Sequence, residues 1–479
     1  MRPPHPDPEP HPGGGRQAPR LWPIAWPLFV ELLLGIAVGM VGTALAARLS
    51  DASGAAFALA HHVFGALFIL FRIIGAGVGV VVTQALGAGR RDEADATARA
   101  SLGASTWMGG LLAAAAALWA TPLLGTLQAP AEVLPLAATL LAALAPALLL
   151  DAWNASMAAV MRAHLHARDT LMVMVAMHAT QLLLVVPLMF GVGTWPGLGL
   201  PGFALALWVA RLLGLALQGW LWRQRLHIRL RHGDWWRLRR ALLVPVARIG
   251  LPGAAENMGW RLAFMASVAV VGGLGTTARA THAYAQQAAM VVLLFALATG
   301  LSVEVLVGHQ IGAGHFRQAR DLVRRSLVRG LLVSVAVAAF IALAGPWLLR
   351  LFTQDPAVIA AATALLWWTV LLEPGRTFNL VVINALRAAG DARYPVYAGA
   401  WSMLIVMAGG SWLLGSDAGL GWGLPGVWIA YIADEWLRGL LMWRRWARLA
   451  WVPQARQIHR RLRTGTPHEK ADGHPVSVG

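Results

Sequence analysis

Between Ile24 and Trp446 the chain is a near-continuous succession of apolar runs, each about the 20 residues that a helix needs to cross a bilayer. A segment in lipid must satisfy its own backbone hydrogen bonds, so these runs have to be helices. Of the 479 residues, 58% are hydrophobic and 13% charged, which excludes an ordinary water-soluble globule. The net charge of +17 must then sit at the edges of the runs, and no nucleic-acid partner is expected. With no cysteine, disulfides, thiol nucleophiles and cysteine-ligated metals are excluded.

Hydropathy places twelve helices, near residues 24–47, 55–82, 101–124, 134–157, 170–190, 201–222, 250–272, 281–307, 326–349, 356–383, 395–414 and 424–446. The predicted fold class is an all-α polytopic membrane protein with twelve transmembrane helices in two pseudo-symmetric six-helix bundles. Residues 1–22 read as a disordered tail, 23–222 as the N-terminal bundle and 223–248 as a basic, Trp-bearing linker suited to an anionic lipid surface. Residues 249–447 form the C-terminal bundle and 448–479 a polar tail. Arginines cluster after every second helix, from Arg90 and Arg91 to Arg387 and Arg393, while the opposite loops offer little beyond Arg48, Arg279 and Arg350. Basic loops stay on the cytoplasmic side, so the chain is expected in the plasma (inner) membrane, multi-pass, with both termini cytoplasmic.

An internal repeat underlies the two bundles. Pro27 and Glu31 recur 225 residues later as Pro252 and Glu256. The same ungapped offset pairs Gly75 with Gly300, Gly87-Ala88-Gly89 with Gly312-Ala313-Gly314, Asn154 with Asn379, and Arg162-Ala163 with Arg387-Ala388. Six helices per half put both repeats in the same orientation, an architecture of transporters with a cavity between the halves.

At these residues the chain resembles the multidrug and toxic compound extrusion (MATE) family. The likeness lies in Val82-Thr83-Gln84-Ala85-Leu86-Gly87-Ala88-Gly89 and Val307-Gly308-His309-Gln310-Ile311-Gly312-Ala313-Gly314, supported by Gly250-Leu251-Pro252, Leu274-Gly275-Thr276 and Arg387-Ala388-Ala389-Gly390-Asp391. The resemblance implies a proton- or sodium-driven antiporter that exports organic cations and other xenobiotics by alternating access. It further implies a monomer with no cofactor and no enzymatic activity. Protons are favoured over sodium. The partners expected are a small-molecule substrate, the coupling cation and membrane lipid. Many relatives carry an Asp late in the first helix where this chain has Gly42, followed by Thr43, so coupling has to fall elsewhere.

Intramembrane acids are costly and need a partner, water or a proton. Glu31 and Glu256 each follow a proline by four residues, on the face where the proline frees a carbonyl, which suits proton exchange or pairing with a cationic substrate. The plainer reading is a local hydrogen bond holding a kinked helix. Glu373, Asp151, Asn154 and Asn379 are further candidates for coupling or substrate contact, against interhelical hydrogen bonding as the plain alternative. Asp434, Glu435 and Arg438 have the spacing of a structural ion pair, and Arg72, Arg211, Arg261 and Arg376 lie in or near spans. Gly75-Ala76-Gly77-Val78-Gly79 reads as close helix packing, and no histidine pair has metal-site spacing. The rival function is a flippase for a lipid-linked sugar or other amphipathic metabolite, which would have the embedded arginines converge on the cavity.

Overall fold

The computed structural model describes residues 21–125, 127 and 130–464; residues 1–20 of the expected disordered tail and 465–479 of the polar tail lie outside the described residues. Every run is helical. The first half comprises α1 (Trp22–Leu49), α2 (Asp51–Gly87), α3 (Arg91–Leu118), the short α4 (Ala120–Gly125), α5 (Leu134–Ala163), α6 (Ala167–Phe190) and α7 (Leu200–Leu221). A π-helical turn (Trp222–Leu226) and a 3-10 turn (His232–Trp235) lead to α8 (Arg240–Gly273), α9 (Thr276–Ala313), α10 (Phe316–Leu349) and α11 (Pro356–Ala388). The next span is built from α12 (Arg393–Ser402), a π-helical stretch (Met403–Gly409) and α13 (Gly410–Gly415), followed by α14 (Gly423–Ala447) and α15 (Val452–Thr464).

Twelve spans result, six per lobe. Among the described residues nine contain an apolar window long enough to cross a membrane. Of the other three, α8 and α14 hold several charges within their length, Glu256 and Arg261, then Asp434, Glu435 and Arg438, while α2 is apolar from residue 74 to 87. The repeat is visible in the packing: α2 against α5, α3 against α5 and α5 against α7 correspond to α9 against α11, α10 against α11 and α11 against α14.

Helices overrun the apolar boundaries furthest at the end that carries the arginines. There α2 continues to Gly87, α3 begins at Arg91, α5 ends at Ala163, α9 at Ala313 and α11 at Ala388. Hydropathy reports where lipid stops, whereas a helix continues until a residue leaves the right-handed region. Gly89, Gly314 and Gly390, with φ of 75°, 80° and 86°, supply those turns.

Two segments differ in form from a loose linker and tail. Part of 223–248 forms the start of α8, and the rest folds onto the N-lobe: Trp235 meets Trp153 edge to face at 5.0 Å, and Trp107 donates its indole N–H to the Trp236 carbonyl at 3.0 Å. Beyond residue 448 the chain forms α15, which is amphipathic and packed: Trp451, Ala455 and Leu462 are buried while Arg456, Arg460 and Arg463 are exposed.

The lobes meet in a seam at the basic end, and the seam obeys the repeat. A methyl group at Gly87 would strike the His309 carbonyl oxygen, and one at Gly312 would strike that of Gln84, so only glycine lets α2 and α9 cross this closely. Gln84 donates to the Ala388 carbonyl at 2.8 Å; its counterpart 225 residues on, His309, donates to Ala163, the counterpart of Ala388, also at 2.8 Å. Thr83 packs on Gly308, its own repeat mate, which places the pseudo-twofold axis there. Gly77 of the glycine-rich stretch rests on the Val246 backbone of α8.

Candidate functional site

The N-lobe encloses a cavity of about 450 Å³, bounded by α1, α2, α5, α6 and α7 and closed on one side by Leu301, Glu304 and Val305 of α9. Its volume exists because two helices present glycine: nothing lies within 4 Å of a Cβ built on Gly35 of α1 or on Gly65 or Gly79 of α2. Phe64, Phe68, Met174 and Met177 give it apolar walls. Two ion pairs supply its polarity, Glu31 with Arg162 at 3.2 Å and Asp151 with Arg211 at 2.6 Å. Asn154 donates to the Arg211 and Leu150 carbonyls and accepts from Gln218 on its own carbonyl, tying α5 to α7 behind the cavity. Three sequence candidates, Glu31, Asp151 and Asn154, are thus brought together.

The other three, Glu256, Glu373 and Asn379, lie in the C-lobe in a linked polar network, buried at Glu373 and Asn379 and partly exposed at Glu256. Glu256 pairs with Arg387 at 2.5 Å, as Glu31 does with Arg162, so the two proline-linked acids hold equivalent partners across the repeat. Arg376 bridges Glu373 at 2.6 Å and Glu435 at 3.4 Å. Arg438 bridges Glu435 at 2.9 Å and Asp434 at 2.7 Å; Ser402 donates to Asp434 and Asn379 to Glu435. Gly399 packs against both Glu256 and Arg438, which joins the Glu256 pair to the rest. The network holds four carboxylates (Glu256, Glu373, Asp434, Glu435) and three guanidiniums (Arg376, Arg387, Arg438). Glu373 is fully buried and its Oε2 has no hydrogen-bond partner among the described residues.

One relation escaped the sequence reading. Leu200-Pro201-Gly202 and Leu424-Pro425-Gly426 open α7 and α14 with an offset of 224, which makes Glu435 the counterpart of Arg211, while Arg376 is the counterpart of Asp151. The α5–α7 ion pair of the N-lobe therefore recurs between α11 and α14 with its polarity reversed. In both lobes the repeated asparagine, Asn154 or Asn379, bonds to the α7 or α14 partner. The arginines that hold Glu31 and Glu256 were legible as a repeated Arg-Ala pair, but no sequence rule says which acids they meet.

Gly42 has a packing explanation. A Cβ there would sit 2.8 Å from the Phe57 ring and 2.9 Å from that of Phe203. These rings meet edge to face at 4.7 Å, and His61 stacks on Phe57 at 5.5 Å. The place of the family aspartate is filled by aromatic packing, and Thr43 turns out to an exposed bond with the Gly39 carbonyl.

At the basic end His164 caps α5 with Nδ1 on the Val160 carbonyl at 2.9 Å, and burial lowers its pKa to about 4. Trp153 donates to Thr106, Trp260 stacks on Phe264 and Trp401 faces outward, so none of these three rings lines the cavity.

The MatE family model matches residues 27–190 and 252–412, one match per half. The chain is 31% identical over 432 residues to the uncharacterized transporter YisQ of Bacillus subtilis, covering 90% of this chain and 94% of that one. It is 30% identical over 448 residues to the probable multidrug resistance protein NorM of Bradyrhizobium diazoefficiens, covering 88% and 91%. Its fold is similar to that of an outward-facing multidrug resistance MATE transporter of the MOP superfamily, with a TM-score of 0.81 at 18% identity over 91% and 96% of the two chains. A duplicated twelve-span helical fold, glycine-sealed at a repeat-related seam and matched by the family model in each half, belongs to the MATE family of membrane transporters.

Proposed function

We propose that the chain is a proton-coupled antiporter of the plasma (inner) membrane that exports amphipathic xenobiotics or organic cations, with both termini cytoplasmic and a monomer as the working unit. The substrate seat is the N-lobe cavity, and the coupling group is Glu373. The observation that carries this reading is the surplus carboxylate of the linked C-lobe network. A buried charge without a counter-charge costs several kcal/mol, about 3–5 when an ion pair is broken, so the network must take up a cation to be neutral. Arg376 Nη1 at 2.6 Å from Glu373 Oε1 occupies the space a sodium ion would need, while Oε2 can accept a proton. Neutralising the network favours the closed C-lobe; release of the proton toward the cytoplasm leaves the surplus charge that drives the next rearrangement.

Orientation follows from the arginines: the seam at the basic end then lies on the cytoplasmic side. The flippase reading draws support from Arg162 and Arg211 on the cavity wall. Each is neutralised by Glu31 or Asp151, which leaves no unpaired arginine pair on the cavity wall among the described residues for a pyrophosphate.

The test is ethidium uptake into everted membrane vesicles driven by a pH gradient or by sodium. Glu373→Gln balances the network at three acids and three bases; it is expected to fold normally and lose the response to the pH gradient. Wild-type pH-driven uptake by this variant, or strict sodium dependence in the parent, would refute the proposal.

A further inference from the structure

We infer that α15 is a strap that holds the two lobes together at the basic end and must release from the N-lobe for the transporter to open inward; this rests on the alternating-access reading above. The helix is rooted in the C-lobe. Trp451 stacks on Trp446 at 4.3 Å, Phe316 meets both Trp451 and His459 edge to face, and His459 Nδ1 donates to the Gly312 carbonyl at 2.8 Å. Its far end reaches the N-lobe. Leu462, 1% exposed, is packed in the core cluster that contains Val82, Ala85, Ala94 and Ala98 of α2 and α3. Arg461 pairs with Glu93 at 3.5 Å, and Arg90 donates to the Leu462 carbonyl at 3.5 Å.

The motif loops record this asymmetry. Gly390 takes φ of 86°, and a Cβ on it would collide with Ile458 of α15. Its repeat mate Leu165 makes the same left-handed turn, with φ of 66°, as a leucine whose side chain is exposed. Likewise a Cβ on Gly314 would lie 2.8 Å from the His459 ring, while its mate Gly89 has nothing within 4 Å. The glycines of the C-lobe loops thus leave room for α15. The seam residue Gly312 holds α15 through His459, so lobe separation there must pull Leu462 and Arg461 out of the N-lobe.

Because the parent has no cysteine, engineered thiols report cleanly. Spin labels on Asp92→Cys and Gln318→Cys, one per lobe, read the separation of the basic ends by pulsed electron resonance without any substrate, so the result stands apart from the transport assay. Leu462→Asp is expected to raise the separated population about tenfold, and deletion from Trp451 onward at least as much. In a second arm, Glu93→Cys and Arg461→Cys are bridged by a reducible bis-methanethiosulfonate. Bridged protein should show only the closed distance and no efflux, and in bridged protein without spin labels reduction should restore efflux. An unchanged distance distribution in Leu462→Asp, or separation of the lobes in the bridged protein, would overturn the strap. Closed-only distances with undiminished efflux would do so as well.

Discussion

The reversed ion pair makes a strong demand on the fold. If Asp151–Arg211 and Arg376–Glu435 are two settings of one interaction, the N-lobe should accept the C-lobe polarity. Asp151→Asn alone leaves Arg211, whose side chain is 14% exposed, without a counter-charge. Breaking a buried pair in this way costs about 3–5 kcal/mol. At about 2–4 °C per kcal/mol for a unit the size of one lobe, unfolding should fall by roughly 6–20 °C. The double variant Asp151→Arg with Arg211→Glu copies the pair of α11 and α14. It should recover most of that loss, with a coupling of about 2–3 kcal/mol in the double-mutant cycle built with Asp151→Arg and Arg211→Glu as singles. The assay is thermal unfolding of purified protein in detergent, followed by tryptophan fluorescence. Efflux measured beside it is expected to change substrate preference, since both residues face the cavity. A double variant no more stable than the worse single would refute the equivalence of the two pairs.

Three further outcomes are expected. Gly65→Leu should fill the cavity without straining its walls, lowering efflux at least tenfold while leaving the unfolding temperature unchanged or higher, because leaving glycine gains up to about 1 kcal/mol in a helix. Gly42→Asp, which restores the family residue, should lower stability by about 3–5 kcal/mol, from overpacking against Phe57 and Phe203 plus an unpaired carboxyl, and Phe57→Ala should recover part of it. His164 has its pKa lowered to about 4 by burial, against an ordinary 6.5, so below pH 6.5 the unfolded chain binds the extra proton. Unfolding temperature should therefore decline as pH falls from about 6.5 toward 4 and stay flat above it, and His164→Asn should flatten the acid limb.

Spans, repeat and family were legible because each rests on a property that lipid or duplication imposes on every residue of a run. Apolar length located the helices, and a constant offset of 225 located their mates from Pro27 to Arg387. The ends of the helices were not legible, since Arg91 and Arg240 begin helices that hydropathy starts about ten residues later. Nor was α15: with Arg456, Arg460, Arg461 and Arg463 it reads as polar, and only packing reveals that Ile458 and Leu462 lie on one buried stripe. Six candidate polar residues could be named, but their division into a cavity set and a network set depends on where arginines from other helices fall. The shift of offset from 225 to 224 before α7 and α14 hid the counterpart of Arg211 from an ungapped comparison.

Duplication gave both lobes the same parts, and the differences between them assign the work. In the N-lobe, glycines at positions 35, 65 and 79 open a cavity, and its acids Glu31 and Asp151 are each held by one arginine. Their C-lobe counterparts are Trp260, Met290 and Glu304, side chains that occupy space, and the polar groups there are enclosed with one carboxylate in excess. A lobe with a glycine-lined cavity and paired charge suits a bound molecule of variable shape; a lobe with an enclosed network and a surplus carboxylate suits a proton. Gly42 fits this division. With Phe57 and Phe203 closed over the site of an N-lobe aspartate, the proposed cycle couples a proton on Glu373 to the cavity through movement of the lobes about the glycine seam, with α15 as the proposed restraint.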